Sequence, residues 1–462
     1  MISIFSSIRL ILAASFCCVV VLEGEELPFR NPIAEPIQFG DLTLEIEEWI
    51  QFPRSKQGNP KTRINAMKPA TDGTARTWVC DLEGLLYFIR DDEIYTYLDV
   101  RDYLPDFYAE EGLGGGLNFF AFHPEFKSNG LFYTVYSERP GDKEPDFVGK
   151  DYKERRPLDS ILVEWKTEAP EDDVFKGTHR ELMRVRFPIH IHTMQDISFN
   201  PLSQPGDEDY GLLYIGIGEG GSMKTRQYKS ILTLGSLLGT IARIDPSGSN
   251  SANGQYGIPA DNPWAEDGDP ETLGEIWSIG FRNPHRLTWD PAFGDSFLAT
   301  DIGEDNVEEL NLIKPRRNYG WPMREGTFQF QLDPNKFSLL VLPVDDVGFT
   351  YPVAQYDHTE GDAIIGGYVY RGERHPSLEG KYVFGDVTRG HVYYVNASDL
   401  QLGKQAEIRK LRLMKIGEET TMRDLTGNGR VDLRFGLDHN RELYLMEKFN
   451  GRVYRIKDVL KD

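Results

Sequence analysis

The stretch NGLFYTVY, residues 129–136, sets the pattern from which this chain is built. An Asn-Gly turn hands over to a run of aromatic and aliphatic residues, the composition of a short strand leaving a tight turn. Related units recur: EGLLYFI (83–89), YGLLYIGIG (210–218), GDSFLATDIG (294–303), EGKYVFGD (379–386) and NRELYLME (440–447). Six such units, spaced by roughly 45 to 85 residues, predict an all-β chain of radial repeats, in which each blade buries its faces only by stacking around an axis. A large β-sandwich with similar hairpins is the alternative on periodicity alone. Helical periodicity is weak throughout. The stretch GRVYRIKDV (451–459) is able to complete a blade begun near Leu42, as ring closure requires. DYKERRPLDS (151–160), EAPEDDVFKG (168–177) and 322–350 read as long loops, which in compact domains often carry function.

Composition narrows the partners. With 51 basic and 73 acidic residues among 462, the formal charge is −22, and nucleic acid is excluded because phosphate binding needs a cationic surface. An acidic surface suits a soluble protein and helps hold hard cations such as Ca²⁺. Gly 45, Pro 27 and 12% aromatics favour many strands joined by tight turns. The opening MISIFSSIRLILAASFCCVVVLEGEE has one basic residue, Arg9, and an apolar run from Leu10 to Leu22. That run is short for a membrane span and fits a secretory signal, with an uncleaved N-terminal anchor as the alternative. We therefore expect a signal or anchor over 1–24, an extension over 25–40, and the repeat domain over 41–462, with no later membrane span. Export points to a periplasmic or extracellular protein. Cys17 and Cys18 fall in the first segment, so Cys80 has no internal disulfide partner and reads as a small core residue.

The chemistry gathers between residues 190 and 325. HTMQDISFNP (192–201) sets His192 before a strand, and YIGIGEGGS (214–222) sets Glu219 after one, where a carboxylate can orient an imidazole. In GEIWSIGFRNPHRLTWDP (274–291), Arg282 lies between apolar runs, far from any charge cluster. Such a guanidinium is either paired or faces a cavity that holds an anion. The turn Asp301-Ile-Gly-Glu-Asp-Asn is crowded with oxygen ligands, although its spacing matches no EF-hand.

AFHPEFKSNGLFYTVYS (121–137), His192 with ISF, EIWSIGFRNPHRLTWDP, GEDNVEELNLI and RNYGWPMREG (317–326) occur in order over roughly residues 60–456. Together they resemble the glucose/sorbosone dehydrogenase family, soluble quinoproteins that use pyrroloquinoline quinone (PQQ). The resemblance implies a six-bladed β-propeller. It also implies that Arg282 reaches over the quinone with Asn283 beside it, and that His192 is the general base, supported by Glu219 in place of a family Asp. A Ca²⁺ on the quinone oxygen would be held at positions matching Gly303 and Glu304. Glu309 and Tyr319 match positions linked to a second, structural Ca²⁺ in some members. The quinone carries three carboxylates, which call for guanidinium or ammonium partners, and Arg389 and Arg430 are the residues placed to supply them.

Several positions depart from the family pattern. Gly114 stands where some members place a Gln, and Asn118-Phe119 replace a Leu-Gly pair. Thr388 stands where the best-known type has a quinone-binding Lys. Asp432 follows Arg430 where that type has a second arginine, and Arg434 and Arg389 are the cations able to compensate. At an effective dielectric near 20, a unit charge pair about 4 Å apart is worth roughly 4 kcal/mol, so exchanging a cation for an anion bears heavily on affinity. DLTGNGRVD (424–432) admits three readings: an Asx-rich turn, a partial calcium loop lacking its twelfth-position Glu, or the edge of a quinone site.

The expectation is an exported PQQ- and Ca²⁺-dependent dehydrogenase acting on a sugar or polyol hydroxyl. No CxxCH haem-attachment motif is present, so electrons must pass to an external acceptor. A non-catalytic binding propeller is the alternative, since animal hedgehog-interacting proteins resemble the same family. A Ca²⁺-dependent lactonase or esterase is a third.

Overall fold

The computed structural model describes residues 31–69, 74–109, 115–149, 157–221, 231–332, 337–343 and 348–461. The expected export segment, Gly114 and part of the loop 151–160 lie outside these residues. What is described is a β protein, whose α-helices are the short Phe126–Asn129 and Met422–Thr426. Among the described residues no helix is long and apolar enough to cross a membrane.

Apart from a small separate sheet, most of the described strands fall into six antiparallel runs. One comprises Ile64–Pro69, Thr77–Asp81, Leu85–Arg90 and Glu93–Asp99, and the next Phe119–Phe122, Leu131–Glu138, Leu158–Thr167 and Gly177–Phe187. A third comprises Met194–Phe199, Leu213–Ile217, Thr240–Ile244 and Ile276–Ile279, and a fourth Pro284–Thr288, Phe297–Asp301, Val307–Ile313 and Ala354–Asp357. The fifth is Ile364–Val369, Lys381–Asp386, Val392–Asn396 and Arg409–Lys415. The sixth joins Leu433–Leu437, Leu443–Glu447 and Arg452–Lys461 to Phe39–Gln51, far away in sequence. Leu44 faces Val459 across that last antiparallel pair, so the stretch near Leu42 and the one at 451–459 meet as expected. Parallel pairings of Phe39–Gln51 with Arg409–Lys415, and of Met67 with Gly436, merge three runs into one thirteen-stranded sheet.

Five of the six sequence units become the second strand of their run. EGLLYFI becomes the third strand, because Thr77–Asp81 intervenes after Ile64–Pro69. The first strands of the six runs neighbour one another side by side. Aromatic residues fill the space between runs: Trp78 meets Phe122 at 4.7 Å, and Tyr97 meets Phe132 edge-on at 6.1 Å. Such pairs add directional contact to the large apolar area they bury. Cys80 is fully buried in the same core, and burial pushes its thiol up to about 12.

The stretch 322–350 is more ordered than a loop. It forms the small sheet Arg324–Glu325, Phe328–Leu332 and Phe337–Pro343. FQFQL alternates apolar and polar residues, a period-two signal that its position outside the six units obscures.

Two cavities lie at opposite ends of the first strands. The starts of five of them line one of about 630 Å³, and the ends of all six line another of about 470 Å³. Between them sits buried Arg286, packed on Phe119 at 4.5 Å and donating to the carbonyls of Asn65 (2.7 Å) and His285 (3.2 Å).

Candidate active site

His192 precedes Met194–Phe199, and Glu219 follows Leu213–Ile217. These strands pair antiparallel with Met194 opposite Ile217, which brings the two residues together. Gly218 donates to the carbonyl of Thr193 (3.0 Å) and Gly220 to that of His192 (2.9 Å). A Cβ at Gly218 would lie 2.4 Å from the His192 carbonyl oxygen, so only glycine permits this approach. His192 takes a positive φ of 51°, which turns its side chain from the strand direction. Its Nδ1 lies 2.7 Å from Oε1 of fully buried Glu219. A carboxylate only accepts, so Nδ1 carries the proton and Nε2 keeps a lone pair. Burial, helped by the nearby Arg282 charge, lowers the His192 pKa from its ordinary value against the opposing pull of Glu219 and Glu304. The imidazole is therefore neutral at neutral pH.

Arg282 answers the question its sequence raised in both ways at once. Its guanidinium is paired to Glu304, with Nε 2.7 Å from Oε2 and Nη2 on the same oxygen, while Nη1 donates to the Ile302 carbonyl at 3.0 Å. It also lines the 630 Å³ cavity beside His192, and Trp321 lies 5.8 Å beneath it. The carboxylate of Asp301 accepts from the backbone N–H groups of Arg282 (2.9 Å) and Asn283 (2.5 Å). The Arg282 carbonyl accepts from the N–H of Glu219 at 2.8 Å, which ties the two halves of the site. Among the described residues the buried Oδ1 of Asn283 has no hydrogen-bond partner.

The oxygen-rich turn is organised by an anion. Oε1 of Glu325 accepts from the N–H groups of Glu304, Asp305, Asn306 and Val307 at 2.9 to 3.2 Å, a nest of convergent amides. A Cβ on Gly303 would fall 1.9 Å from the Val307 carbonyl oxygen. Gly303 and Glu304 reach the cavity. Among the described residues no group of three or more His, Cys, Asp or Glu side chains is set to hold a metal. A cation here would therefore draw chiefly on backbone carbonyls, a donor set for Ca²⁺.

Glu309 and Tyr319 do not line this cavity. The Glu309 carboxylate accepts from Gly326 N–H (2.5 Å) and Asn311 Nδ2 (2.9 Å), and burial, with Asp301 nearby, holds it well above the usual range. The Tyr319 hydroxyl donates to the Leu312 carbonyl (2.8 Å) and accepts from Lys314 N–H (2.9 Å). Both are engaged as struts within their own region.

Arg430 reaches the cavity and is paired with Asp432 at 2.7 Å. Burial pulls the Asp432 carboxyl upward, but Lys448, Arg430 and Arg434 outweigh it and hold the group below its ordinary value. Arg389 does not line the cavity. Its guanidinium bonds to Asp362 (2.7 Å) and to the carbonyls of His358 (2.6 Å) and Thr359 (2.7 Å), so it clamps two turns outside the cavity. Thr388 does line the cavity, bonded to Asp362 and Asp386. In the stretch 424–432, Asp424 caps Met422–Thr426 by accepting from Thr421 through Oδ2. Only the far end of that stretch, at Arg430 and Asp432, reaches the site.

Sequence reasoning missed Lys56, Asn59, Arg63, Gln195, His285, Asp362 and Lys448 among the polar residues of the lining. Arg63 and Lys448 sit at the edges of Ile64–Pro69 and Leu443–Glu447, where a strand end can turn a side chain toward the axis. Arg434 is buried and donates to Asn65 Oδ1 at 3.0 Å; burial and then Arg286 lower its pKa to about 9, which still leaves it charged.

The family model for glucose/sorbosone dehydrogenases matches residues 64–427. The HIPL1 protein of Arabidopsis thaliana is 29% identical over 442 residues, covering 84% of this chain and 61% of that protein. The mouse Hedgehog-interacting protein is 24% identical over 409 residues, covering 84% and 50%. The chain thus spans between half and two thirds of the length of these relatives. Among solved structures, the apo-form soluble aldose sugar dehydrogenase of Escherichia coli superposes with a TM-score of 0.60 at 18% identity, covering 91% of this chain and all of that one. The PQQ-bound aldose sugar dehydrogenase of Streptomyces coelicolor gives 0.57 at 18%, covering 93% and all of that chain. At such identities the likeness is one of fold.

Proposed function

Because this chain belongs to the glucose/sorbosone dehydrogenase family, we propose that it is an exported six-bladed β-propeller that oxidises a sugar or polyol hydroxyl with PQQ and Ca²⁺. The observation that carries this reading is the His192–Glu219 pair, a neutral imidazole with its Nε2 lone pair free for a proton, beside Arg282 in a cavity of about 630 Å³. The lining suits a planar polycarboxylate. Lys56, Arg63, Arg282, Arg430, Arg434 and Lys448 outnumber Glu304, Asp362 and Asp432, and the unpartnered Oδ1 of Asn283 awaits a donor. Arg63, Arg430, Arg434 and Lys448 would hold the quinone's carboxylates, with Gly303 and Glu304 offering carbonyls to Ca²⁺. Bound there, the cofactor and its cation supply the acceptor for the hydride that leaves the alcohol carbon.

The protein's own groups do the rest. His192 Nε2 takes the hydroxyl proton as the hydride departs, and the buried Glu219 carboxylate steadies the imidazolium that forms. Arg282, fixed by Glu304 and Ile302, presents positive charge to the oxygens that gain it. An external acceptor then receives the electrons. The test is titration of the protein with PQQ and Ca²⁺, followed by reduction of an artificial dye with an aldose panel. Saturable binding and sugar-dependent reduction, lost in His192→Gln while quinone binding persists, are expected. A folded protein that binds no quinone would overturn the reading. Thr388 and the anionic Asp432 favour one second reading, a non-catalytic carbohydrate- or protein-binding propeller of the same family.

A further inference from the structure

The surroundings of Lys448 oppose its charge: burial, and then the Arg434 guanidinium, push its ammonium well below the ordinary lysine range. It follows the strand Leu443–Glu447, and its carbonyl is fixed by the Thr62 hydroxyl at 2.9 Å. Its side chain lines the 630 Å³ cavity, yet the residue is only 6% exposed. Among the described residues no acceptor meets its ammonium. The largest charges felt there are mainly of its own sign: Arg434, Arg63 and Arg286, opposed by Asp432. A buried ammonium among guanidinium groups is unfavourable unless an anion joins it.

The guanidinium groups are held in place. Arg434 donates to Asn65 Oδ1 (3.0 Å) and the Leu433 carbonyl (2.7 Å), and Arg63 to Glu83 (3.2 Å) and the Gly115 carbonyl (3.2 Å). Their charges therefore converge on the cavity floor without having to be ordered by a ligand. Asp432 is turned to Arg430 at 2.7 Å and so leaves the Lys448 ammonium to another anion. An ammonium has three donors and no acceptor.

We propose that Lys448, flanked by Arg63, Arg430 and Arg434, is the principal donor of an anion subsite on the cavity floor that takes a carboxylate of a polycarboxylate ligand. In the reading above that carboxylate belongs to the quinone, while the subsite itself rests on burial and charge alone. Lys448 would thus supply the cation that Thr388 lacks, from a different strand end.

The test compares the full chain with its Lys448→Met variant by calorimetric titration with two probes, PQQ and the redox-inert tricarboxylate citrate. Loss of a charge-assisted hydrogen bond predicts roughly ten- to hundredfold weaker binding of both probes, with Lys448→Arg retaining most of the affinity. The ligand-free variant is expected to melt higher than the parent, because an unbalanced buried charge has gone; a merely structural lysine would lower it. Affinity unchanged for both probes would overturn the subsite even if quinone binding is strong. Lys448-dependent citrate binding with no quinone binding would uphold the subsite and overturn the quinone reading instead. Reductive methylation of the unaltered protein gives a variant-free check: saturating citrate should protect Lys448, and equal labelling with and without citrate would refute the proposal.

Discussion

Glu219→Gln separates a base-orienting carboxylate from an ordinary buried one. The exchange keeps the shape of a fully buried side chain but removes the charge 2.7 Å from His192 Nδ1. That charge raises the His192 pKa against burial and Arg282, which lower it. A hydrogen bond to a charged group contributes about 1.5–3 kcal/mol, which at 1.36 kcal/mol per unit is a further fall of about one to two units. The acid limb of kcat/KM for dye reduction should therefore move to lower pH by that amount. The plateau should also drop, by about a hundredfold to ten-thousandfold, because the base is weaker and a Gln amide can donate to Nδ1 and move the proton to Nε2. NMR titration of the imidazole, assigned by difference from His192→Gln, reads the pKa without requiring turnover. A His192 that titrates at the same or a higher pH in the variant would refute the orienting role.

Three further outcomes follow from the geometry. Gly218→Ala would place a Cβ 2.4 Å from the His192 carbonyl; displacing the base by about 1 Å should cost on the order of a hundredfold in kcat, measured beside a melting curve that reports the strain. Arg389→Ala should leave quinone affinity within about twofold and cost about 1 kcal/mol or less of stability, whereas Arg430→Ala should weaken binding; equal losses in a titration of both would return Arg389 to the site. Glu447 is fully buried, its Oε1 has no partner among the described residues, and burial pushes its carboxyl up from 4.5 to about 7. Between those values the folded chain holds a proton that the unfolded chain has released, so this group's contribution falls as pH rises through the window, by up to about 3 kcal/mol. Glu447→Gln should flatten the fall in melting temperature between pH 5 and 8, and an unchanged slope would show that Glu447 ionises without penalty.

The repeating strands were legible because turn residues and aromatic-aliphatic runs are local signals, and six of them survive in NGLFYTVY and its relatives. The His192–Glu219 pair was legible for a related reason: both flank short strands, and YIGIG leaves room for backbones to touch. The order of EGLLYFI within its run was not, since nothing in that segment announces the strand before it. Arg389 misled because adjacency to Thr388 says nothing about direction, and Asp362 lies 27 residues away in sequence. Lys448 and Arg63 went unread because each is a single cation at a strand edge, and only the convergence of distant strands makes them neighbours. The apolar alternation in FQFQL was present but lay in a stretch taken for a loop.

The pairing of Phe39–Gln51 with Arg452–Lys461 gives the chain an order of assembly. Residue 44 meets a partner 415 positions later, at Val459, so this contact cannot form on the ribosome until that later strand has emerged. Until then an early strand waits with open backbone donors and acceptors, the kind of edge that recruits other chains. A shortened product that stops before residue 452 would leave that edge permanently unsatisfied. Premature termination before residue 452 should therefore lower the yield of soluble protein.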